Sequence, residues 1–328
     1  MNGSFSPTPQ VDLRAARRRL AIPAFGIAFV FLCSLLVQLG AIYAVRRWAP
    51  ALLELGWFPW ILSMVPMYGV AMPLSLLLFR LAPPEEPIAP RGKLSFPAFL
   101  GLLSLCFALT YAGNLLGQLV NSVIGSITGE IPSNDLQEIT QASPLWVNIL
   151  FAGILAPVME EIFYRKLVID RLRPFGDLPA ILLSGLLFGL IHGNFYQFFY
   201  AATIGLLFGY VYLHTGKLRY TVALHMCVNF VGGVYSVEML KRLDLELLES
   251  HPVAAILDGF GGFSMMASYL VFAAVAVVGA PVAAILLWRY VHLRKAKAPL
   301  TPTQWANVLL LNPGVWILLL VVLYLFLG

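Results

Sequence analysis

The chain has 328 residues, of which 60% are hydrophobic and 11% are charged, with a formal net charge of +5. Soluble domains carry about a quarter charged residues, so this composition excludes a soluble globule and predicts an all-α, polytopic membrane protein surrounded by the lipid bilayer. The bases lie at the ends of apolar runs, which is typical of membrane topology and does not indicate a nucleic-acid partner.

Nine apolar runs follow one another along the chain, and each is a candidate membrane-spanning helix. A helix that crosses the bilayer needs about 20 mostly apolar residues. The predicted spans are Ala21–Val45, Phe58–Phe79, Phe96–Gly125, Leu145–Phe163, Leu178–Gly193, Phe198–Leu213, Tyr220–Val237, Phe263–Trp288 and Val308–Phe326. Because the fifth and sixth runs are short, we expect a transmembrane helical bundle of eight or nine spans.

Lys and Arg are distributed unequally between the two sides of these spans. Seventeen of the 21 fall in the N-terminal tail and the segments on its side: Arg14, Arg17, Arg18, Arg19, Arg80, Arg91, Lys93, Arg165, Lys166, Arg171, Arg173, Lys217, Arg219, Arg289, Arg294, Lys295 and Lys297. The opposite side holds Arg46, Arg47, Lys241 and Arg242. Because cytoplasmic loops carry the excess of bases, we expect a multi-pass protein of the cell membrane with a cytoplasmic N-terminus. Nine crossings would then place the C-terminus outside.

The sequence divides into three regions. Residues 1–95 contain the N-terminal tail and the first two spans, residues 96–238 contain the core helices that carry the candidate catalytic residues, and residues 239–328 contain the last two spans. The proline-rich loop Leu81–Arg91 is a stiff connector between the first two regions. The segment Glu238–Asp258 mixes leucines with charges and is predicted to lie along the membrane interface as an amphipathic helix.

Ionisable residues inside the apolar runs are the main candidates for function. Charged side chains at bilayer depth are costly, so they are rare and mark functional sites. Glu160 and Glu161 lie in the fourth span, and His192 and His225 lie in the fifth and seventh. These four residues are therefore the first candidates for a catalytic role.

The two carboxylates of the fourth span face different directions. Glu161 and Arg165 are four residues apart and share a helix face, so we expect a structural ion pair between them. Glu160 is rotated by about 100° around the helix axis from Glu161. No Lys or Arg lies three or four residues from Glu160, which makes it the candidate for a catalytic carboxylate.

Two more pairs occur at the same spacing of four residues. His225 and Asn229 share a face of the seventh span, and Phe188 and His192 share a face of the fifth. Phe188 is expected to pack in the core and to seat the His192 ring. The seventh span thus presents an imidazole and an amide side by side.

Two kinds of stripe are assigned to packing. Gly185, Gly189 and Gly193 on the fifth span allow the backbone of a neighbouring helix to come close, and Gly205 and Gly209 repeat the pattern on the sixth. Asn114, Gln118 and Asn121 form a polar stripe on the third span and are expected to hydrogen-bond to neighbouring helices.

The intramembrane residues together favour a hydrolase without a covalent nucleophile. A carboxylate in a low-dielectric site is a candidate general base toward water, and His192 can share that water or shuttle its proton. His225 and Asn229 can donate hydrogen bonds to the oxyanion of a tetrahedral intermediate. The sequence contains neither a G-x-S-x-G nor an H-E-x-x-H motif.

Three motifs occur in order in the core: Glu160-Glu161-x-x-x-Arg165, Phe188-x-x-x-His192 and His225-x-x-x-Asn229. Together they resemble the motifs of the CPBP intramembrane proteases, also called the Abi or CAAX-protease-like family, which includes the type II CAAX prenyl endopeptidases. The resemblance covers about Leu145 to Gly233. It implies that Glu160 and His192 activate water and that His225 and Asn229 hold the oxyanion. Glu161 and Arg165 would be a supporting pair.

Zinc is an alternative that keeps the same residues. Glu160, His192 and His225 are a possible ligand set that leaves a position for water. Asn229 is a poor zinc ligand, and the three candidate ligands come from three helices without a tight local motif. We therefore expect no resident cofactor and rank zinc second.

The substrate and the class of protein leave further alternatives. The resemblance implies a peptide or a lipidated protein, such as a prenylated CAAX protein, as substrate. A non-catalytic protein, either a transporter with a Glu/His proton relay or an immunity-type binding protein, is the alternative from another class. A transporter would be expected to show an inverted repeat or paired broken helices, and only a short duplication of Gly-Leu-Leu-Phe-Gly is present.

Overall fold

The computed structural model describes residues 11–84, 88, 92–243, 245–257, 262–288 and 291–327. Arg91 and Arg289, which were counted among the bases of the N-terminal side, lie outside the described residues. So do residues 244 and 258 of the predicted interfacial segment.

All the regular secondary structure in the described residues is helical. The helices are α1 (Leu13–Trp48), α2 (Phe58–Phe79), α3 (Phe96–Thr128), α4 (Asp135–Ala142), α5 (Leu145–Phe175), α6 (Asp177–Leu190), α7 (Phe195–Thr215), α8 (Leu218–Arg242), α9 (Leu245–Ser250), α10 (Pro252–Leu257), α11 (Gly262–Trp288), α12 (Pro302–Leu310) and α13 (Pro313–Leu327). A short 3₁₀ helix, Pro50–Glu54, joins α1 to α2. The predicted all-α class is confirmed.

Seven of these helices are long and apolar enough to cross a membrane: α1, α2, α3, α5, α7, α8 and α11. The helix α6 is apolar but has only 14 residues, as its short run predicted. The predicted last span, Val308–Phe326, is not one straight helix, because α12 and α13 meet at an angle of 69°. Pro313 explains the break, since proline lacks an N–H group and disfavours helical geometry at the residue before it.

The fourth span is longer than predicted and continues through Arg165 to Phe175. Arg165 was assigned to a segment on the N-terminal side, but it is a fully buried helix residue. Its charge did not end the helix because Glu161, one turn earlier, neutralises it inside the bundle.

The predicted interfacial helix is also different in the structure. The seventh span continues to Arg242, and the short helices α9 and α10 follow it. Pro252 begins α10 and cannot continue α9, because proline within a helix removes a backbone hydrogen bond. The segment is therefore broken instead of forming one amphipathic helix.

Glycines bring α6 and α7 together as an antiparallel pair, as the stripe predicted. A Cβ atom at Gly185 would lie 2.7 Å from the backbone nitrogen of Leu206, and one at Gly189 would lie 2.6 Å from Cβ of Ala202. The helix α7 also packs against α3. These contacts fix the end of α6, where His192 follows.

Candidate active site

A cavity of about 710 Å³ opens between the helices α2, α3, α5, α7 and α8. All four predicted catalytic residues line it, namely Glu160, His192, His225 and Asn229. Phe188 contributes to the same wall. The structure therefore brings together side chains that are separated by up to one fifth of the chain.

The helices that carry these residues are locally widened around the cavity. Stretches of π-helix occupy Ile149–Leu155 and Ile162–Ile169 on either side of the two glutamates, and Phe230–Tyr235 directly after Asn229. A fourth stretch covers Val65–Ala71 in α2. Single π-helical turns are frequent at functional sites because they change the direction in which side chains project.

Glu161 and Arg165 form the predicted ion pair. Arg165 Nε is 3.0 Å from Glu161 Oε2, and Arg165 Nη2 is 3.2 Å from Glu161 Oε1. The third guanidinium nitrogen donates to Ser184 Oγ in α6 at 3.0 Å. Both charged side chains are completely buried, so the pair joins α5 to α6 behind the cavity.

His225 lies between the two carboxylates, a contact that its sequence position does not predict. Its Nδ1 is 3.2 Å from Glu161 Oε1, and its Nε2 is 3.7 Å from Glu160 Oε2. A carboxylate only accepts hydrogen bonds, so Nδ1 carries the hydrogen that points to Glu161. The ring consequently presents Nε2 to Glu160 and the cavity.

His192 is oriented by its own helix. Its Nδ1 lies 2.7 Å from the backbone oxygen of Phe188, which can only accept, so the hydrogen of the neutral ring sits on Nδ1. The lone pair is then on Nε2. The Phe188 ring packs edge-on against both imidazoles, with its centroid 5.1 Å from that of His192 and 5.7 Å from that of His225.

Asn229 is held by the helix that carries the glutamates. Its Nδ2 donates to the backbone oxygen of Ala152 at 3.0 Å. An amide nitrogen carries two hydrogens, so one N–H group remains beyond this bond.

Tyr68 belongs to the site, and sequence reasoning did not identify it. Its hydroxyl group donates to Glu160 Oε1 at 2.9 Å, from the π-helical stretch of α2. The available signal was a tyrosine in the middle of an apolar span, away from the membrane interfaces where tyrosine is enriched. Glu160 is still 20% exposed, so the bond leaves its other oxygen open to the cavity.

Among the described residues, the polar stripe of α3 makes no side-chain hydrogen bond to a neighbouring helix, contrary to the expectation. Gln118 donates to Asn114 within the same helix, and Asn114, Gln118 and Asn121 all line the cavity. Asn121 is 2% exposed, and its Nδ2 has no hydrogen-bond partner among the described residues. The stripe is thus a wall of the cavity.

The core segment of the chain matches known proteins. Residues 142–231 match the family model described as "Type II CAAX prenyl endopeptidase Rce1-like". This segment is therefore similar to the core of the CPBP, or CAAX-protease-like, family. Over 106 residues the chain is 24% identical to a Bacillus subtilis (strain 168) protein named "Putative membrane peptidase YdiL". That match covers 32% of this chain and 43% of the relative, and no solved structure matches.

The matched segment contains the motifs that supply most of the site. All three motifs that resemble those of the CPBP proteases, from Glu160 to Asn229, lie inside the matched segment. Tyr68 lies outside it.

Zinc is the alternative raised by the CPBP resemblance, and the side chains can be tested for their fit to it. His225 directs Nδ1 to Glu161, and its Nε2 lies 3.7 Å from Glu160 Oε2, a separation compatible with two ligands that each lie about 2.1 Å from one tetrahedral ion. In the part of the chain that is described, no three His, Cys, Asp or Glu side chains converge closely enough to hold a metal ion. Zinc therefore stays the second-ranked alternative, which metal analysis can test, and no step below uses it.

Proposed function

We propose that the protein is an intramembrane endopeptidase that hydrolyses peptide bonds of membrane-associated or lipidated proteins, including those of the prenylated CAAX type. The observation that carries the proposal is the meeting of Glu160, His192, His225 and Asn229 in one cavity. The resemblance to type II CAAX prenyl endopeptidases over residues 142–231 supports it.

Glu160 acts as the general base in this mechanism. Tyr68 holds Oε1 of Glu160, so Oε2 faces the cavity and can take a proton from water. His192 presents the lone pair of Nε2 to the cavity and accepts the second hydrogen bond of the same water. Two acceptors orient the water oxygen toward the carbonyl carbon of the substrate.

His225 and Asn229 stabilise the oxyanion that forms after attack. Because Nδ1 of His225 donates to Glu161, its Nε2 can donate only when the ring carries a second proton. Glu161 Oε1, 3.2 Å from Nδ1, is the counter-ion on the far side of the ring in that form. Asn229 supplies its remaining N–H group, and hydrogen-bond donors fixed before the reaction stabilise developing charge effectively.

The reaction closes with a proton transfer to the leaving group. The proton that Glu160 took from water passes to the amide nitrogen, the C–N bond breaks, and a new carboxyl group and a new amine leave. Glu160 returns to its ionised state without a covalent intermediate.

Replacement of the proposed base tests the function. We expect Glu160→Gln to lower turnover of a membrane-associated peptide by about a hundredfold or more, because general-base catalysis contributes about that much. The purified protein should keep its yield and thermal stability. Glu54→Gln is the matched control, since Glu54 is exposed in the connection between α1 and α2.

The outcome separates the classes of function. Turnover by Glu160→Gln close to that of the parent protein would contradict the role of Glu160. Absence of hydrolysis by the parent protein toward any membrane peptide, with its fold intact, would favour the non-catalytic class.

A further inference from the structure

The cavity lies toward one end of the helix bundle. Most of its lining residues come from the first halves of α2, α5 and α7 and from the second halves of α3, α6 and α8, whereas His225, Val228 and Asn229 lie just before the middle of α8. Since successive spans run in opposite directions, the cavity extends from the middle of the bundle toward the end where α1 finishes. The helix α4 and the segment before it border the cavity through Ile131, Asn134, Gln137 and Thr140.

Four hydrogen bonds fix this border to the bundle. Tyr196 donates to the backbone oxygen of Pro132 at 3.0 Å, and Trp60 donates to Ser143 Oγ at 3.1 Å. The backbone oxygen of Ser143 also accepts from Lys241 Nζ at 2.6 Å. Asn148 donates to Thr140 at 2.8 Å. The cavity mouth is thus built by ordered elements at this end.

The basic residues lie mainly at the other end. The segments at the cavity end contain Arg46, Arg47, Lys241 and Arg242, whereas the other described Lys and Arg residues belong to the end from which α1 starts or, like Arg165, to the bundle interior. The excess of bases marks the cytoplasmic side. The cavity end therefore corresponds to the extracytoplasmic side.

The wall of the cavity has the chemistry of a peptide-binding surface. Besides Asn229, six amide side chains line it, namely Asn114, Gln118, Asn121, Asn134, Gln137 and Gln197. Each amide offers both a donor and an acceptor, as a peptide backbone does. Asn121 has a buried Nδ2 without a partner in the described residues, and no Lys or Arg occurs among the described lining residues.

We propose that the cavity receives an unmodified, extended polypeptide segment from the extracytoplasmic face of the membrane. The cleavage of that segment rests on the proposed function, whereas the direction of access does not. Of the substrate classes named in the proposed function, this inference selects membrane-associated proteins with an exposed segment on that face over prenylated tails in the cytoplasm.

Cysteine labelling in intact bacterial cells tests the direction of access without catalysis. Gln137→Cys places a thiol on exposed α4 at the cavity, and Arg80→Cys places one at the exposed opposite end of α2. We expect a membrane-impermeant maleimide to label Gln137→Cys in intact cells and Arg80→Cys only after permeabilisation. The parent chain gives the background from its three native thiols. The reverse pattern, or no labelling of Gln137→Cys even after permeabilisation, would overturn the proposal.

Paired substrates then test what enters the cavity. One test substrate is a single-span membrane protein with an extended polypeptide segment (the stub) next to its span on the extracytoplasmic side. A second carries the same stub on the cytoplasmic side. We expect only the outer stub to be cleaved, and only when Glu160 is present. Cleavage of the inner stub, or cleavage only of a farnesylated copy, would overturn the substrate assignment. If neither stub nor the farnesylated copy is cleaved while Gln137→Cys labels from outside, the protease function fails and the access direction stands.

Discussion

The hydroxyl group of Tyr68 reaches the site from α2, outside the three helices that carry the motifs. It donates to Glu160 Oε1 at 2.9 Å. This hydrogen bond engages one carboxylate oxygen of Glu160 and thereby fixes the orientation of the other oxygen, Oε2. Tyr68 therefore positions the proposed base and does not touch the substrate.

We expect Tyr68→Phe to lower kcat by about tenfold, the effect of losing one hydrogen bond to a charged group, with little change in KM. Kinetics with a membrane-associated peptide measure both. Tyr212→Phe is the matched control, because Tyr212 donates to Asp170 at 3.0 Å away from the cavity. Equal losses of activity in the two variants would show that Tyr68 acts only through stability.

Arg165 illustrates a charge that the fold needs but the proposed chemistry does not use directly. We expect Arg165→Ala to lower the melting temperature in detergent, because removing one partner of a buried ion pair costs about 3–5 kcal/mol. Activity should fall with it, since Glu161 then loses the partner that orients it toward His225.

Lys166→Ala is the control for this prediction. Lys166, the residue after Arg165, forms an ion pair with Asp170 at 2.9 Å, but the Lys166 side chain is 58% exposed. Exposed ion pairs contribute about 0–1 kcal/mol to stability. A melting temperature for Arg165→Ala equal to that of Lys166→Ala would refute the structural role of the buried pair.

The pair of helices α6 and α7 sets the position of His192, which follows directly after α6. We expect Gly189→Ala to lower both thermal stability and activity, because the new Cβ would lie 2.6 Å from Cβ of Ala202 and 2.7 Å from the backbone oxygen of Phe198. The helices would have to separate at this point, and His192 would move with them.

Gly40→Ala makes the same change where no atom lies within 4 Å of the added Cβ. It should be neutral or stabilising, because alanine is favoured over glycine in helices by about 1 kcal/mol. Melting curves of both variants measure the difference. An unchanged Gly189→Ala protein would show that the two helices tolerate a wider spacing.

The elements differ in how far their sequence determines them. The spans follow from apolar runs, and Gly185 and Gly189 predict that some helix packs closely against α6, although only the structure identifies it as α7. The extension of α5 to Phe175 does not, because a run of charges usually marks a loop and only the buried contact with Glu161 reveals why Arg165 stays inside. The break before Pro313 was readable in principle from the proline itself.

The same limit applies to the site. Spacing of four residues predicted the pair Glu161–Arg165, since both partners lie on one helix. The contact of His225 with Glu161 joins residues that are 64 positions apart in the sequence, and that of Tyr68 with Glu160 joins residues 92 positions apart. Each contact links two different helices. Periodicity along one helix carries no information about which helices become neighbours, so these contacts required the structure.

At the scale of the whole molecule, metal dependence separates the two hydrolytic mechanisms. We expect prolonged treatment with a strong chelator to leave turnover unchanged, because a base and hydrogen-bond donors supply what a Lewis acid would otherwise provide. Activity assays before and after chelation, with zinc analysis of the same samples, measure this. Stoichiometric zinc that leaves together with activity, and restores it when added back, would favour the metal mechanism.

The bend between α12 and α13 joins the two ends of the described chain. Asn312, at the bend, donates to the backbone oxygen of Arg17 across 295 positions at 3.0 Å, and α13 packs along α1. During synthesis α1 therefore acquires this neighbour only after α13, on the far side of these 295 positions, has left the ribosome. Until then the face of α1 that packs along α13 must contact lipid or an insertion factor.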